Sequence, residues 1–114
     1  MAASFEVVSA DSTCTHVRIR GSLDVTGTGS ISLKFTASTA ARRQHVLLDM
    51  SEVDFVASIG LGLLMQVARA LASDGKRVIV VSPSAVVAGV IRTTKVDAVM
   101  PVAASLDEAH TMIG

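Results

Sequence analysis

The first residues of the chain show a strand-like alternation of apolar and polar positions. Residues 4–10 (SFEVVSA) and 15–21 (THVRIRG) both have this character, and in the second run Val17 and Ile19 alternate with polar side chains. A period of two is typical of a half-buried strand. The polar segment SADST joins the two runs and favours a turn. We therefore expect an antiparallel hairpin at the start of the chain.

The next segment combines a glycine-rich stretch with an ambiguous apolar pattern. GSLDVTGTGS, residues 21–30, has three glycines and predicts a loop. Ile31 and Phe35 are four residues apart, which suits a helix, whereas Leu33 between them gives a spacing that suits a strand equally well. We prefer a helix over about residues 30–41, because the next strand needs a crossover connection.

The middle of the chain has the clearest periodic patterns. HVLLDM (residues 45–50) and KRVIVVS (residues 76–82) are short apolar runs, which predict buried strands. Between them, leucine and alanine repeat at i, i+3, i+7 and i+10, which predicts a helix over residues 58–73, with SEVDF as the connection before it. Gly75 supplies the left-handed residue that ends this helix.

The last third of the chain predicts two more helices and an edge strand. Ser82 and Pro83 together favour a helix start, and that helix extends to about Arg92. AVMPV is expected to form an edge strand, because Pro101 cannot donate to a sheet ladder. SLDEAHTMI closes the chain as a helix that Ser105 caps.

The predicted order is β-β-α-β-α-β-α-(β)-α. Strands that alternate with helices predict parallel pairing, and the hairpin adds an antiparallel pair. We therefore expect a single α/β domain over residues 1–114, with a mixed four- to five-stranded sheet and about four helices.

The amino-acid composition narrows the range of functions that the chain can have. Ten basic residues balance ten acidic ones, and Trp and Tyr are absent. Nucleic-acid-binding proteins carry a basic face, and single-strand binders stack bases on aromatic rings, so no nucleic-acid partner is expected. The apolar stretches are too short for a bilayer span, and neither a polybasic segment nor a signal peptide is visible. We expect a cytoplasmic protein without membrane contact.

Few residues suit metal or redox chemistry. Cys14 is the only cysteine, and His16, His45 and His110 match no metal-ligand spacing. Three carboxylates between positions 49 and 54 are expected to be solvated loop charges. We expect neither a metal nor a cofactor.

Ser58 is the residue that most invites a chemical interpretation. A hydrolase elbow needs a glycine where Val56 stands, and a phosphate-binding loop needs a lysine that SIGLGLLM lacks. A dinucleotide fingerprint needs a third glycine where Met65 stands. None of these three motifs fits.

Two interpretations of Ser58 remain open. Its hydroxyl caps the helix, which is worth about 1 kcal/mol, or it accepts a phosphate that the helix dipole tolerates and a docked partner does not. Gly60 and Gly62 each cost about 1 kcal/mol in a helix, which indicates either close access by a partner or tight internal packing. Leu63 or Met65 is expected either to be exposed beside Ser58 or to be covered by a neighbouring helix.

The segment LLDMSEVDFVASIGLGLLMQVARAL resembles the central segment of STAS domains, in particular the bacterial anti-sigma-factor antagonists. Their pattern is an apolar strand, Asp, and a short loop ending in Asp-Ser-Ser/Thr-Gly-Leu-Gly before a helix. IRGSLDV resembles the family's Gly-Glu-Leu-Asp segment, and the residues from GKRVIVVS to AASLDEA resemble its last third. The resemblance covers nearly the whole chain and implies a single-domain STAS-like fold.

The resemblance also implies a non-catalytic partner-switching regulator. In such a protein the unmodified form binds an anti-sigma factor that is also a serine kinase, phosphorylation of Ser58 separates the two, and a serine phosphatase restores the binding form. The partner-binding residues implied are Asp24, Ala57, Ser58, Ile59, Gly60, Leu61, Gly62 and Leu63. We expect a monomer or a weak dimer.

Three positions depart from the family motif. Ala57 replaces the Asp, Ile59 replaces the second hydroxyl residue, and Ser22 replaces the Glu. Ala57 removes a negative charge beside the acceptor, and Ile59 leaves Ser58 as the only hydroxyl of the motif. These departures favour an alternative, a constitutive STAS interaction module such as a stressosome-like scaffold or a transporter accessory subunit, without a phosphoryl switch.

Overall fold

The computed structural model describes residues 3–113, which form five strands and four helices. The strands are β1 (Ser4–Ala10), β2 (Cys14–Leu23), β3 (His45–Val56), β4 (Val78–Val81) and β5 (Val102–Ala103). The helices are α1 (Val25–Ser38), α2 (Ser58–Ala72), α3 (Ala85–Thr94) and α4 (Leu106–Ile113), with short 3₁₀ helices at Ala40–Arg42 and Val96–Ala98. The predicted α/β class and the predicted element order are confirmed.

All five strands belong to one mixed sheet in the order β1-β2-β3-β4-β5. β1 is antiparallel to β2, as the predicted hairpin requires, and the other neighbouring strands are parallel. Val17, Leu48 and Val80 lie in one row across the three central strands. Because β2, β3 and β4 run in the same direction, their carboxyl ends lie at the same edge of the sheet.

Alternate side chains of the buried strands face two separate apolar clusters. In β4, Val78 and Val80 belong to the larger cluster, which α1, α2 and α3 cover, whereas Ile79 and Val81 belong to a smaller cluster under α4. The sheet is therefore covered on both faces at β4, as expected for a buried parallel strand.

The glycine-rich segment is not the predicted loop. β2 continues to Leu23, and α1 starts at Val25 because Asp24 caps it: Asp24 Oδ1 accepts a hydrogen bond from Gly27 N at 2.7 Å. Gly27 is buried, and a Cβ there would collide with the carbonyl oxygen of Ser22. The predicted helix over residues 30–41 was therefore wrong in its bounds, starting five residues late.

β3 is also longer than predicted, because SEVDF continues the strand instead of connecting it to α2. Core residues occur in it at Met50, Val53 and Val56, a spacing of three that breaks the strand period. The register of β2 against β3 shifts twice in this region, which accommodates that spacing.

Smaller differences concern the ends of the helices. Gly75 has φ of +73° and follows α2, as predicted, although α2 ends at Ala72. Ser82 and Pro83 do not start α3; Ser84 caps it instead, accepting a hydrogen bond from Val87 N at 3.4 Å. The predicted cap of the last helix is confirmed by the hydrogen bond from the backbone amide of Glu108 to Ser105 Oγ at 3.1 Å.

Candidate functional site

The candidate site lies where β2 and β3 end and α2 begins. Leu23 and Val56 are register partners at the ends of the two strands. The next amide, Ala57 N, donates a hydrogen bond to the carbonyl oxygen of Leu23 at 2.9 Å. This bond fixes the first turn of α2 against the end of β2, and it places Ser58 at the edge of the sheet.

Ala57, not Ser58, is the N-cap of α2. Ala57 has the extended backbone of a cap, with φ of −84° and ψ of 168°, but its methyl group offers no acceptor to the helix. The prediction that Ser58 caps this helix was therefore wrong, since Ser58 is the first helical residue. The first intrahelical bond of α2 is donated by Leu61 N to Ala57 O at 3.0 Å. The amides of Ser58, Ile59 and Gly60 precede it and have no acceptor within the helix.

The side chain of Ser58 is accessible. The residue is exposed, and its hydroxyl makes no hydrogen bond to residues 3–113. A donor enzyme can therefore reach this oxygen without unfolding the helix. The positive end of the α2 dipole and the free first-turn amides favour a negative group at this position.

The two glycines behind Ser58 have different structural roles. Gly60 is buried, and a Cβ there would lie 2.6 Å from Leu23 O and 2.7 Å from Leu23 Cβ, so glycine is needed for α2 to approach β2. Gly62 is exposed, and a Cβ there would meet nothing within 4 Å. Internal packing therefore accounts for Gly60 but not for Gly62, which leaves the surface of α2 open.

Of the two alternatives left open for Leu63 and Met65, exposure and coverage, the structure shows coverage. Leu63 is only 6% exposed and Met65 is half-buried, because both pack against the core below α2. Ile59 and Phe55 are each 48% exposed instead. Phe55 was missed because SEVDF was interpreted as a connection, whereas Phe55 is the second-to-last residue of β3.

A shallow groove of about 340 Å³ separates α1 from α2 next to Ser58. Gly29 and Gly62 face it from the two helices, and Thr28, which is 3% exposed, has a hydroxyl without a hydrogen-bond partner in the described part of the chain. The groove was missed at the level of sequence because α1 was expected to start after Gly29.

The implied partner-binding residues divide by exposure. The exposed ones are Asp24, Ser58, Ile59 and Gly62, the half-buried ones are Ala57 and Leu61, and the buried ones are Gly60 and Leu63. Burial removes Gly60 from any direct contact surface, so it positions the site from below, whereas the small exposed part of Leu63 lines the groove between α1 and α2.

Asp49, Glu52 and Asp54 lie in β3 and not in a loop, which corrects the prediction. Asp49 Oδ2 accepts a hydrogen bond from Arg18 Nε at 3.1 Å, and Glu52 Oε2 accepts one from Arg20 Nε at 3.0 Å. Burial raises the pKa of Asp49, but hydrogen bonds from Ser51 and Arg18 outweigh it, and the net pKa is lowered. Asp49 and Glu52 are therefore neutralised by arginines, whereas Asp54 forms no salt bridge with residues 3–113. No group of three metal-ligating side chains occurs among these residues.

Comparison with known proteins identifies the family. The model of the STAS domain matches residues 5–109. The chain belongs to the STAS family. No curated protein sequence matches it significantly. Within the described residues, no helix combines the length and the apolar character that a membrane crossing needs.

Solved structures share this STAS fold at low sequence identity. An anti-sigma factor antagonist from Mycobacterium paratuberculosis is 22% identical with a TM-score of 0.85, over 98% of this chain and 94% of that one. The unphosphorylated antagonist SpoIIAA is 21% identical with a TM-score of 0.77, over 96% of each chain. The murine anion transporter Solute Carrier 26 family member A9 is 20% identical with a TM-score of 0.76, over 98% of this chain and 22% of the transporter.

Proposed function

We propose that this STAS protein is an anti-sigma-factor antagonist, which binds an anti-sigma serine kinase and is released when Ser58 is phosphorylated. It acts as a non-catalytic regulator in the cytoplasm. The observation that carries the proposal is the exposed, unbonded hydroxyl of Ser58 in the uncapped first turn of α2.

The first turn of α2 suits a phosphate on Ser58. Three amides lack an acceptor within the helix, and Ala57 supplies no side-chain oxygen that would compete for them. The phosphate carries close to two negative charges at neutral pH, and a carboxylate at position 57 would repel it. Ala57 therefore makes the folded protein more tolerant of the modification than the family motif would.

A partner that docks here would contact the exposed part of the motif. Ile59 and Gly62 lie on the same groove, and Asp24 lies at the neighbouring helix start. A docked surface would bury Ser58, and the phosphate would then lose its water and meet the partner at close range. Burying an uncompensated dianion is costly, so the complex dissociates while the fold persists. A serine phosphatase would reverse the change.

The test is phosphorylation by the anti-sigma serine kinases of the same organism. Each purified kinase is incubated with the protein and ATP, and the sites are mapped by mass spectrometry. The fragment between Arg43 and Arg69 contains two hydroxyls, Ser51 and Ser58, so its fragment ions must be resolved. Ser51 is the matched control, because it is also exposed but donates its hydroxyl to Asp49 at 2.7 Å.

We expect the phosphate on Ser58 alone. The Ser58→Ala variant should then accept none, and Ser51→Ala should be modified at the normal rate. Phosphate on another residue, or none from kinases that modify their own antagonists, would contradict the proposal.

A second candidate is a constitutive STAS interaction module. The absence of the motif's Asp and second hydroxyl at Ala57 and Ile59 favours it, and a STAS fold also occurs within the murine anion transporter. This function predicts a stable complex whose affinity does not change in the Ser58→Asp variant. Under the first proposal the same variant binds the kinase more weakly than Ser58→Ala.

A further inference from the structure

The two ends of the sheet carry opposite charges, although the chain is neutral overall. The acidic end, where the parallel strands finish, presents four carboxylates that form no salt bridge with residues 3–113: Asp24, Asp54, Asp107 and Glu108. Glu52, nearby, is already paired with Arg20 at 3.0 Å.

The opposite edge of the sheet is the basic end. Its six basic residues lie shortly before β3 or β4 or at the end of α3: Arg42, Arg43, Lys76, Arg77, Arg92 and Lys95. They outnumber the carboxylates of Asp74, after α2, and Asp97, in the 3₁₀ helix after α3. Within the described residues only Arg43 has an ionic partner, Asp74, at 4.0 Å. The charges of both ends are therefore available to an external partner.

The basic end also contains a cleft of about 420 Å³, which both apolar and basic side chains line. It lies between the last turns of α2 and the segment before β5, with Ala68, Ala72, Val99 and Pro101 on its walls and Lys76 and Arg77 beside them. Val99 is 38% exposed, so apolar surface is open to solvent there. A cavity of about 150 Å³ accepts a benzene molecule, so this cleft has room for a phenyl ring.

The acidic end presents such a ring. Phe55 is 48% exposed, and the residue before it is Asp54, whose carboxylate accepts a hydrogen bond from Ser22 Oγ at 2.5 Å. An exposed aromatic side chain beside a carboxylate complements this cleft in charge, because Lys76 and Arg77 line it, and the cleft has the volume that the ring needs.

We propose that the chain self-associates head to tail, with Phe55 of one copy in the basic cleft of the next and Asp54 facing Lys76 and Arg77. The two contact surfaces are different parts of the molecule, so the interface is heterologous, and a row of copies keeps one free surface of each kind, at its two ends. The zero net charge removes the long-range repulsion that would otherwise keep copies apart. The contact forms without a phosphate on Ser58.

The association should depend strongly on salt, because exposed charges contribute to it. The Debye length shortens from about 30 Å at 10 mM salt to about 8 Å at 150 mM salt. We expect sedimentation equilibrium to give a mean mass above the monomer mass of 11.8 kDa at the lower salt concentration and a lower mean mass at the higher one. A wild-type protein that stays monomeric at low salt overturns the proposal.

Two double variants distinguish this contact from non-specific association. One lacks the acidic-end contact (Asp54→Ala with Phe55→Ala), and the other lacks the cleft contact (Lys76→Glu with Val99→Asp). Each should be monomeric alone, because it has lost one of the two surfaces. Their mixture should form a 1:1 dimer and nothing larger, because one intact surface of each kind remains. A mixture without this dimer overturns the proposal.

A pair of single substitutions keeps the proposal testable if a double variant does not fold. Phe55→Ala should weaken self-association about tenfold, whereas Leu33→Ala, at a site on α1 that is 85% exposed, should leave it unchanged. Equal effects of the two substitutions contradict the proposed contact. Far-UV circular dichroism identifies any variant that has unfolded, and the result is then taken from this pair.

Discussion

Replacing Ala57 by Asn tests whether the first turn of α2 is uncapped. α1 shows what a cap supplies here, since Asp24 Oδ1 accepts a hydrogen bond from Gly27 N at 2.7 Å. Ala57 already has the extended backbone of a cap, with φ of −84° and ψ of 168°, so an Asn side chain can bond the amide of Gly60 without rearrangement. The gain should be about 1 kcal/mol, within a range of about 0.5–2 kcal/mol.

The assay is urea unfolding followed by far-UV circular dichroism, because the chain has neither Trp nor Tyr for fluorescence. The midpoint should rise without a change in slope, and Tm should rise by roughly 4 °C per kcal/mol. Ala57→Gln is the control, because its amide lies one methylene too far out to cap and should give no gain. Equal stability of the Asn, Gln and wild-type proteins would refute the uncapped turn and, with it, the free amides that the phosphate needs.

The remaining predictions concern packing and pH. Gly60→Ala should lower the free energy of unfolding by about 1–3 kcal/mol, because the new Cβ meets the backbone of Leu23. Gly62→Ala should raise it by about 0.5–1 kcal/mol, because the space around Gly62 is open. Urea unfolding measures both changes, and equal effects would contradict the different roles of the two glycines. Stability should also fall as the pH is lowered from about 7.5 towards 5. Burial, assisted by the basic residues before β4, lowers the pKa of His45 below the unfolded value of about 6.5, so the unfolded chain takes up protons first. A folded pKa of His45 at or above that value, measured by NMR titration, would disagree.

The sequence was sufficient for the element order because those elements have uniform patterns. The buried strand β4 is apolar throughout, and α2 repeats its core residues at helical spacing. In β2, buried Val17 and Ile19 alternate with polar residues, and this alternation distinguished a half-buried strand from fully buried strands such as β4. These patterns depend on burial alone, so β2, β4 and α2 required no knowledge of neighbouring elements, whereas the ambiguous pattern of α1 was resolved only by the crossover that the next strand needs.

The bounds of the elements near the site depend on contacts between distant residues, which local patterns do not contain. In the sequence Gly27 suggests a loop, yet it lies in α1. Glycine is needed there because the carbonyl oxygen of Ser22 leaves no room for a side chain. Ala57 is the cap because its amide is bonded to Leu23, 34 positions earlier, which sets where α2 starts. The different roles of Gly60 and Gly62 follow from which of them lies against β2, and the spacing in the motif does not distinguish them.

The binding affinity of the kinase for the phosphorylated protein tests the central proposal most directly. The protein is prepared with phosphoserine at position 58 and titrated calorimetrically against the kinase that the mapping experiment identifies, beside the unmodified protein. We predict that the free energy of unfolding of the modified protein stays within about 0.5 kcal/mol of the unmodified value and that the modified protein binds at least about a hundredfold more weakly. Unchanged affinity, or a phosphorylated protein that no longer folds, would contradict the proposal that the first turn of α2 tolerates the phosphate and the partner does not.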